Sequence, residues 1–106
     1  MRLTITGKHV DITKAVKEYA AKKVSNLPKY YDSINQVEVV IDAGRAGNVG
    51  VEIIARAEHS KVFVVKETDK EVYRCIDTAV HKLEGQIRKK KAKERDNKRT
   101  GGSKSV

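Results

Sequence analysis

The sequence predicts an α+β domain with the element order β-α-β-β-β-α, in which a four-stranded sheet carries two helices on one face. Two observations predict it: four segments alternate apolar and polar residues with a period of two, and two longer segments repeat apolar residues at helical spacing. The last three strands follow one another directly, which suggests an antiparallel meander. The first strand joins the meander in parallel, through the first helix and a right-handed crossover. A chain of 106 residues has room for one such core.

Each predicted strand has one apolar face and is bounded by glycines or polar turn residues. The first, "RLTIT", ends at Gly7, and the turn "GRAGN" separates the second strand from the third. The predicted strands are residues 2–6, 34–42, 49–57 and 61–67. The inward side chains of the second and third strands are predicted to be Val37, Val39, Ile41, Val51, Ile53, Ala55 and Ala57.

Both predicted helices have one apolar stripe and a recognisable start. The first covers residues 11–27, with Thr13 as its N-cap and Pro28 as the residue that stops it. The second begins after a capping box formed by Thr68 and Glu71. Its buried stripe is predicted to be Val72, Ile76, Val80, Leu83 and Ile87, with the single cysteine, Cys75, buried or half-buried beside it.

Positive charge is concentrated at the carboxyl-terminal end. The net charge is +9; residues 1–80 contain 13 basic and 11 acidic side chains, whereas residues 81–106 contain 10 and 3. Such a field favours a polyanion or an acidic protein as partner. No segment has the roughly 20 apolar residues of a membrane span, and no apolar leader opens the chain, so we expect a cytoplasmic protein with no membrane partner. We predict a folded domain at residues 1–95 and a disordered basic tail at residues 96–106.

Catalysis is not indicated by any motif. His9, His59 and His81 are scattered over a loop, a turn and a helix, without the spacing of metal ligands. The glycines near residues 44–50 precede a strand, whereas a phosphate-cradling loop precedes a helix. We therefore predict a protein that is not an enzyme and that uses no cofactor or metal.

The second helix carries a predicted cationic row. At 100° per residue, Lys82, Gln86, Lys89 and Lys93 fall in one line away from the apolar stripe, and the helix continues past Ile87, its last apolar anchor. The row is widened by Arg88, Lys90 and Lys91. Few acids compensate these cations, and like charges one turn apart repel, so the row becomes favourable against a phosphate backbone. Because aromatic residues are few, recognition of folded RNA by shape and backbone fits better than base stacking.

Three segments carry a resemblance to a known family. The segments "ITGKHVDIT" (5–13), "LPKYYDSINQVEVVI" (27–41) and "EVYRCIDTAVHKLEGQIRKKK" (71–91) resemble the bacterial ribosome hibernation-promoting factors and ribosome-associated translation inhibitors. The likeness covers about residues 2–93. It implies a β-α-β-β-β-α fold similar to double-stranded-RNA-binding domains, in agreement with the order read from the residues.

The resemblance also implies a function and a binding surface. Members of the family bind the small ribosomal subunit in the channel for messenger and transfer RNA, and they inhibit translation in stationary phase or stress without chemistry. Basic residues of both helices make the contacts with ribosomal RNA. The positions that match are Lys17, Lys23, Lys29, Lys82, Gln86 and Lys89, with Lys91 or Lys93 at sites that vary, and helix geometry and charge add Lys22 and Arg88.

Three residues depart from the family pattern. Asn26 and Gly85 stand where members usually have Lys and Arg, and Pro28 replaces a usual acidic residue. The length resembles that of the short form, which lacks a second, dimer-forming domain. We expect a monomer when free, which either stabilises single inactive ribosomes or assists their pairing with a separate ribosome modulation factor.

Two rival functions remain open at this point. The first rival is a generic double-stranded-RNA-binding module without ribosome specificity. The second is a scaffold or protein-interaction domain whose lysines only keep it in solution. Binding to purified small subunits in the presence of unrelated duplex RNA distinguishes all three.

Overall fold

A computed structural model describes the backbone of residues 1–31 and 33–104 and, within those ranges, the side chains up to Glu94 except that of Tyr30. The elements follow the predicted order, with one short helix added after the first. They are β1 (Arg2–Lys8), α1 (Lys14–Val24), α2 (Leu27–Tyr30), β2 (Ile34–Ala43), a 3-10 turn (Arg45–Gly47), β3 (Val49–Ala57), β4 (Val62–Asp69) and α3 (Val72–Lys104). The predicted α+β fold class is confirmed.

The sheet has the strand order β1-β2-β3-β4. β1 pairs with β2 in parallel, so that Ile5 lies beside Val39, and β2, β3 and β4 form an antiparallel meander. The register places Val39 beside Ile53 and Ile53 beside Val65, which aligns the apolar residues of all strands on one face. β1 and β4 are the two edge strands.

The core lies between that face and the helices α1 and α3. α1 packs against β1 and α3, and α3 packs against β3 and β4. The predicted inward residues of β2 and β3 are all buried, as are Cys75 and the predicted α3 stripe, except that Val72 is only partly buried. α1 contributes Val16, Ala20 and Val24 to the core. Burial of one apolar stripe from each helix is what holds both helices on the same side of the sheet.

Thr13 caps α1 as predicted, whereas the predicted role of Pro28 is wrong. The Thr13 hydroxyl accepts a hydrogen bond from the Val16 amide at 3.1 Å. α1 ends at Val24, and the Ser25 amide donates to the Ala21 carbonyl at 3.0 Å. Pro28 lies in the first turn of α2, where its missing N–H leaves no hydrogen bond unmade.

The predicted capping box at the start of α3 is also wrong. Thr68 belongs to β4 and pairs with Gly50 of β3, so it is not available as a cap. The Glu71 carboxylate caps the helix instead, accepting hydrogen bonds from the amides of Tyr73 at 3.0 Å and Arg74 at 2.8 Å. Asp69 supports this start, because its carboxylate accepts hydrogen bonds from the Arg74 guanidinium and from the amides of Lys70 and Glu71.

β1 continues through Gly7, which the sequence predicted as its end. Gly7 pairs with Ile41 and extends the parallel ladder to Lys8. A Cβ at this position would lie 2.4 Å from the Val10 carbonyl oxygen and 2.7 Å from the Ile12 side chain. The glycine therefore permits the following loop to pass close to the strand.

Two further expectations concern the carboxyl-terminal tail and membrane-spanning helices. Residues 96–104 of the predicted disordered tail belong to the described backbone of α3, whereas their side chains and residues 105–106 are not described, and disorder of the tail stays a prediction. Within the part of the chain that the structure describes, no helix combines the length and the apolar character needed to cross a bilayer.

Candidate nucleic-acid interface

The predicted row on α3 is exposed and faces the side of the helix next to β4. Lys82, Gln86, Lys89 and Lys93 are all exposed. Two contacts fix the direction of the row: the Lys82 ammonium reaches Glu67, and the Gln86 amide donates to the Val64 carbonyl oxygen at 3.2 Å. Since both partners belong to the edge strand β4, the row runs along the outer side of α3, away from α1.

The prediction that this row is uncompensated is wrong for Lys82. Its ammonium forms an ion pair with Glu67, whose side chain is 18% exposed, while that of Lys82 is 57% exposed. Gln86 is likewise occupied, since it satisfies a main-chain carbonyl on the outer edge of the sheet. These two side chains therefore fasten α3 to β4 in the free protein. The sequence conceals this role because Glu67 lies 15 residues before Lys82 and belongs to a strand.

Lys89 and Lys93 differ from Lys82, because neither has an acidic partner among the described side chains. No ion pair within 4 Å involves either residue among the side chains described for residues 1–94. The same holds, over the same residues, for Arg88 and Lys91, which are also exposed. Within α3, these four cations beyond Ile87 are therefore available to an external anion as far as the described side chains show.

Arg88 and Lys91 lie on the other side of α3, the side that faces α1. They follow Asp77 by 11 and 14 residues, which at 100° per residue puts each of them within about 40° of Asp77 around the helix axis. Asp77 contacts α1, because its carboxylate accepts a hydrogen bond from the Tyr19 hydroxyl at 2.6 Å. The cations of α3 thus occupy two sides of the helix and do not form one line.

Lys23 lies in the groove between α1 and α3 and is partly compensated. Its ammonium is 3.5 Å from the Asp77 carboxylate and 5.3 Å from the centre of the Tyr19 ring. The hydrogen bond to Asp77 raises the pKa of Tyr19 to about 12. The groove is lined by Lys23, Asn26, Asp77, Val80, His81 and Glu84. It contains two acids, so it is less positive than the sequence suggests.

The remaining predicted contacts lie elsewhere on the surface. Lys17 and Lys22 are exposed on α1, about 140° apart around the helix axis, and Lys29 is exposed on α2. Among the described side chains, none of the three has an ion-pair partner. The ten predicted residues are therefore distributed over a broad helical face, on which the end of α3 has the densest free charge.

Sequence reasoning missed a polar cluster that anchors the part of α3 beyond Ile87. The Tyr31 hydroxyl lies 3.1 Å from one Glu94 carboxylate oxygen and 3.2 Å from the other, and the Lys61 ammonium both pairs with Glu94 and lies 2.9 Å from the Tyr31 hydroxyl. Glu94 follows Ile87 by seven residues and thus continues the buried stripe with a polar side chain. Ile87 is therefore not the last anchor. Glu94 is the only acid in residues 85–95, and that was the signal available in the sequence.

Ionisable groups elsewhere offer no assembled reaction centre among the described residues. His9 is exposed and lies 3.3 Å from Asp42, and burial raises the pKa of the Cys75 thiol to about 11. In that part of the chain, no three His, Cys, Asp or Glu side chains are grouped as a metal ion would require. The expectation that the chain is not an enzyme remains a prediction from the residues alone.

Together, the fold and the charge distribution define a small α+β domain with a cationic helical surface, a class that includes RNA-binding proteins. The model of the family described as sigma 54 modulation protein / S30EA ribosomal protein matches residues 3–95. The chain therefore belongs to this family, which confirms the resemblance found in the sequence.

Two relatives with assigned names match this chain over most of their length. The ribosome hibernation promoting factor of Escherichia coli strain K12 is 35% identical in a match that covers 88% of this chain and 96% of the relative. The protein of the same name from Pseudomonas putida strain KT2440 is 26% identical in a match that covers 89% of this chain and 90% of the relative. Both relatives are of similar size to this chain.

Solved structures with the same fold come from two further bacteria. The N-terminal domain of Thermus thermophilus Protein Y matches with a TM-score of 0.75 and 29% identity over 84% of this chain and 98% of that domain. A ribosomal subunit interface protein from Coxiella burnetii matches with a TM-score of 0.80 and 25% identity over 87% of this chain and 99% of the other.

Proposed function

We propose that this chain is a ribosome hibernation factor. It binds the small ribosomal subunit in the channel for messenger and transfer RNA and inhibits translation in stationary phase or stress. Inhibition follows from occupying the channel, without a chemical step. The inactive ribosome is then stabilised singly, or paired with the help of a separate modulation factor. Its place of action is the cytoplasm, where ribosomes are found.

The exposed cations at the end of α3 are the observation that carries this function. Arg88, Lys89, Lys91 and Lys93 lie within two turns of helix and are free of acidic partners among the described side chains. Neutralising a phosphate backbone releases condensed counterions, and that release favours binding by a dense group of cations. The matches to proteins named for ribosome hibernation and the ribosomal subunit interface support the ribosome as the particle that is bound.

The ion pairs of the free protein divide the predicted contacts into two groups. Among the described side chains, Lys89, Lys91 and Lys93 have no ion pair to give up when they meet phosphate. Lys82 and Lys23 have to share or exchange a carboxylate partner, which reduces the net gain from each contact. We expect the first group, together with Arg88, to contribute most of the affinity, and Lys17, Lys22 and Lys29 to add contacts from the first helices.

A charge-reversal pair tests the surface directly. In Lys89→Glu/Lys93→Glu, binding to purified small subunits should weaken by about tenfold or more, and the salt dependence should lose about two phosphate contacts. Neither side chain belongs to the core, so the free energy of unfolding should change by no more than about 0.5 kcal/mol. Lys82 is left intact because reversing it would place a carboxylate beside Glu67.

The matched control changes the same charge at the opposite end of the molecule. Lys8 and Lys70 are exposed, lie near the start of α3, and have no ion pair among the described side chains. Lys8→Glu/Lys70→Glu should weaken binding much less than the Lys89/Lys93 pair. Equal losses in the two variants would mean that net charge, and not the end of α3, determines binding.

Competition distinguishes the proposed function from its rivals. A hibernation factor should pellet with small subunits in the presence of excess unrelated duplex RNA and should compete with initiator transfer RNA. The dominance of lysines over aromatic residues is also compatible with a generic duplex-RNA module. Such a module would be displaced from the small subunits by the competitor. A protein-interaction scaffold would not pellet at all.

A further inference from the structure

We propose that Glu94 is a positioning residue, which fixes the cationic end of α3 in the orientation that meets RNA. Its carboxylate docks on Lys61 and Tyr31 and so holds the intervening turns against the rest of the domain. The residues held in this way are Arg88, Lys89, Lys91 and Lys93. The inference rests on the proposed function. It adds an acid that strengthens the binding of RNA by its position, although its negative charge repels phosphate.

The anchor lies where apolar packing has ended. Ile87 is fully buried, and Glu94 follows it by two helical turns, a rise of about 10 Å. Between them, the described side chains are mostly exposed cations. Lys89 and Lys93 are one turn apart, and like charges at this spacing destabilise a helix. Without a contact at its far end, this stretch has little to keep it ordered.

The receiving side of the contact is itself held firmly. Tyr31 is 8% exposed, and its ring packs edge-on against Phe63 with 5.7 Å between ring centres. Lys61 ends the turn between β3 and β4, where its carbonyl accepts the Ala57 amide at 2.8 Å. That turn contains two residues with left-handed backbone, at positions 59 and 60. A buried phenol, with the Lys61 ammonium 2.9 Å from its hydroxyl, can therefore orient the carboxylate that reaches them.

Charge alone argues against an acid at this position. A carboxylate among cations lowers the potential that attracts phosphate, so its removal should strengthen binding if attraction were the only effect. The contacts give it a different role. Lys61, and then the Tyr31 hydroxyl, hold the pKa of the Glu94 carboxyl below its usual value, and Glu94 in turn raises the pKa of Lys61. The carboxylate thus remains ionised and bound to both partners at neutral pH.

Two alanine variants with the same charge change test the role. Glu94→Ala should weaken binding to small subunits by about two- to fivefold, the range expected for a half-exposed ion pair, even though net charge rises by one. The control is Glu84→Ala, because Glu84 is half-buried on the same helix and makes no hydrogen bond or ion pair among the described side chains. It should bind as well as the parent or more tightly. If Glu94→Ala also binds as well or more tightly, the proposal is overturned.

Amide hydrogen exchange on the free protein provides a readout that does not need the ribosome. Glu94→Ala should speed exchange at residues 88–94, although alanine favours helix, and Glu84→Ala should not. The swap Lys61→Glu/Glu94→Lys restores the pair at unchanged net charge and should recover both protection and binding. Faster amide exchange in Glu94→Ala together with unchanged binding to small subunits would overturn the proposal that Glu94 positions the cations. Failure of the parent protein to bind would instead refute the proposed function, while exchange still reports whether Glu94 anchors the helix.

Discussion

Residues 72–87 and residues 88–94 belong to one continuous helix, yet they are held against the sheet in different ways. The first part buries an apolar stripe that includes Ile76, Leu83 and Ile87, all fully buried. The second part makes its main contact through one carboxylate, whose side chain is 36% exposed. The second part also carries Arg88, Lys89, Lys91 and Lys93, which have no ion pair among the described side chains.

This difference separates stability from binding within one element. Apolar burial is insensitive to salt and pH, whereas a half-exposed ion pair is screened by salt and lost on protonation. The stretch that would contact RNA is therefore expected to be the less stable part of the helix. Changes that unfold the domain and changes that loosen residues 88–94 should consequently be separable.

The largest effect should come from the apolar part. Leu83→Ala removes a fully buried side chain from the core and should lower the free energy of unfolding by about 3 kcal/mol. Denaturant unfolding followed by circular dichroism measures the loss. Lys89→Ala, six residues further along, should stay within about 0.5 kcal/mol of the parent. A loss below about 1 kcal/mol for Leu83→Ala would contradict the division of the helix.

A smaller effect is expected at the start of the same part. Glu71→Ala removes the carboxylate that accepts two amide hydrogen bonds of the first turn, and it should lower the free energy of unfolding by about 1 kcal/mol. Thr68→Val is the comparison, because the capping box predicted from the sequence would make Thr68 equally important. If Thr68→Val is the more harmful of the two, the strand assignment at this position is wrong.

The smallest effect is the loss of the Glu94 contact at low pH, and it is confined to residues 88–94. Because the anchored Glu94 carboxyl has a depressed pKa, the unanchored form takes up a proton at a higher pH. The anchor is thus fully present above about pH 4.3, the ordinary glutamate value, and is lost as the pH falls through the depressed pKa. Amide NMR shifts of residues 88–94 should move over this range in the parent and not in Glu94→Ala. Identical titrations would show that another group is responsible.

The fold could be predicted almost completely because it depends on regular apolar periodicity. Every predicted inward residue of β2 and β3 is buried, and the parallel placement of β1 is confirmed. The errors fall at element ends. Thr68 satisfies a capping-box pattern, but pairing with Gly50 makes it a strand residue, and pairing between strands is a long-range effect that a local pattern does not contain.

The candidate site could be predicted less well, for a related reason. Exposure of the lysines follows from helix geometry and was correct for Lys82, Lys89 and Lys93. Their partners do not follow, because Glu67 reaches Lys82 from another element and Lys61 reaches Glu94 from a turn 33 residues earlier. Local sequence tells which side chains face solvent, and only the tertiary structure tells which of them are already neutralised.

Gly85 lies on α3 shortly before its apolar packing ends, and a Cβ built there meets nothing within 4 Å. The position can therefore carry a substituent without disturbing the fold. The native thiol, Cys75, is fully buried, so Gly85→Cys would be the selectively reactive sulfur on the protein. A fluorophore or photo-crosslinker attached there would report directly on what this side of α3 contacts when the protein binds a partner.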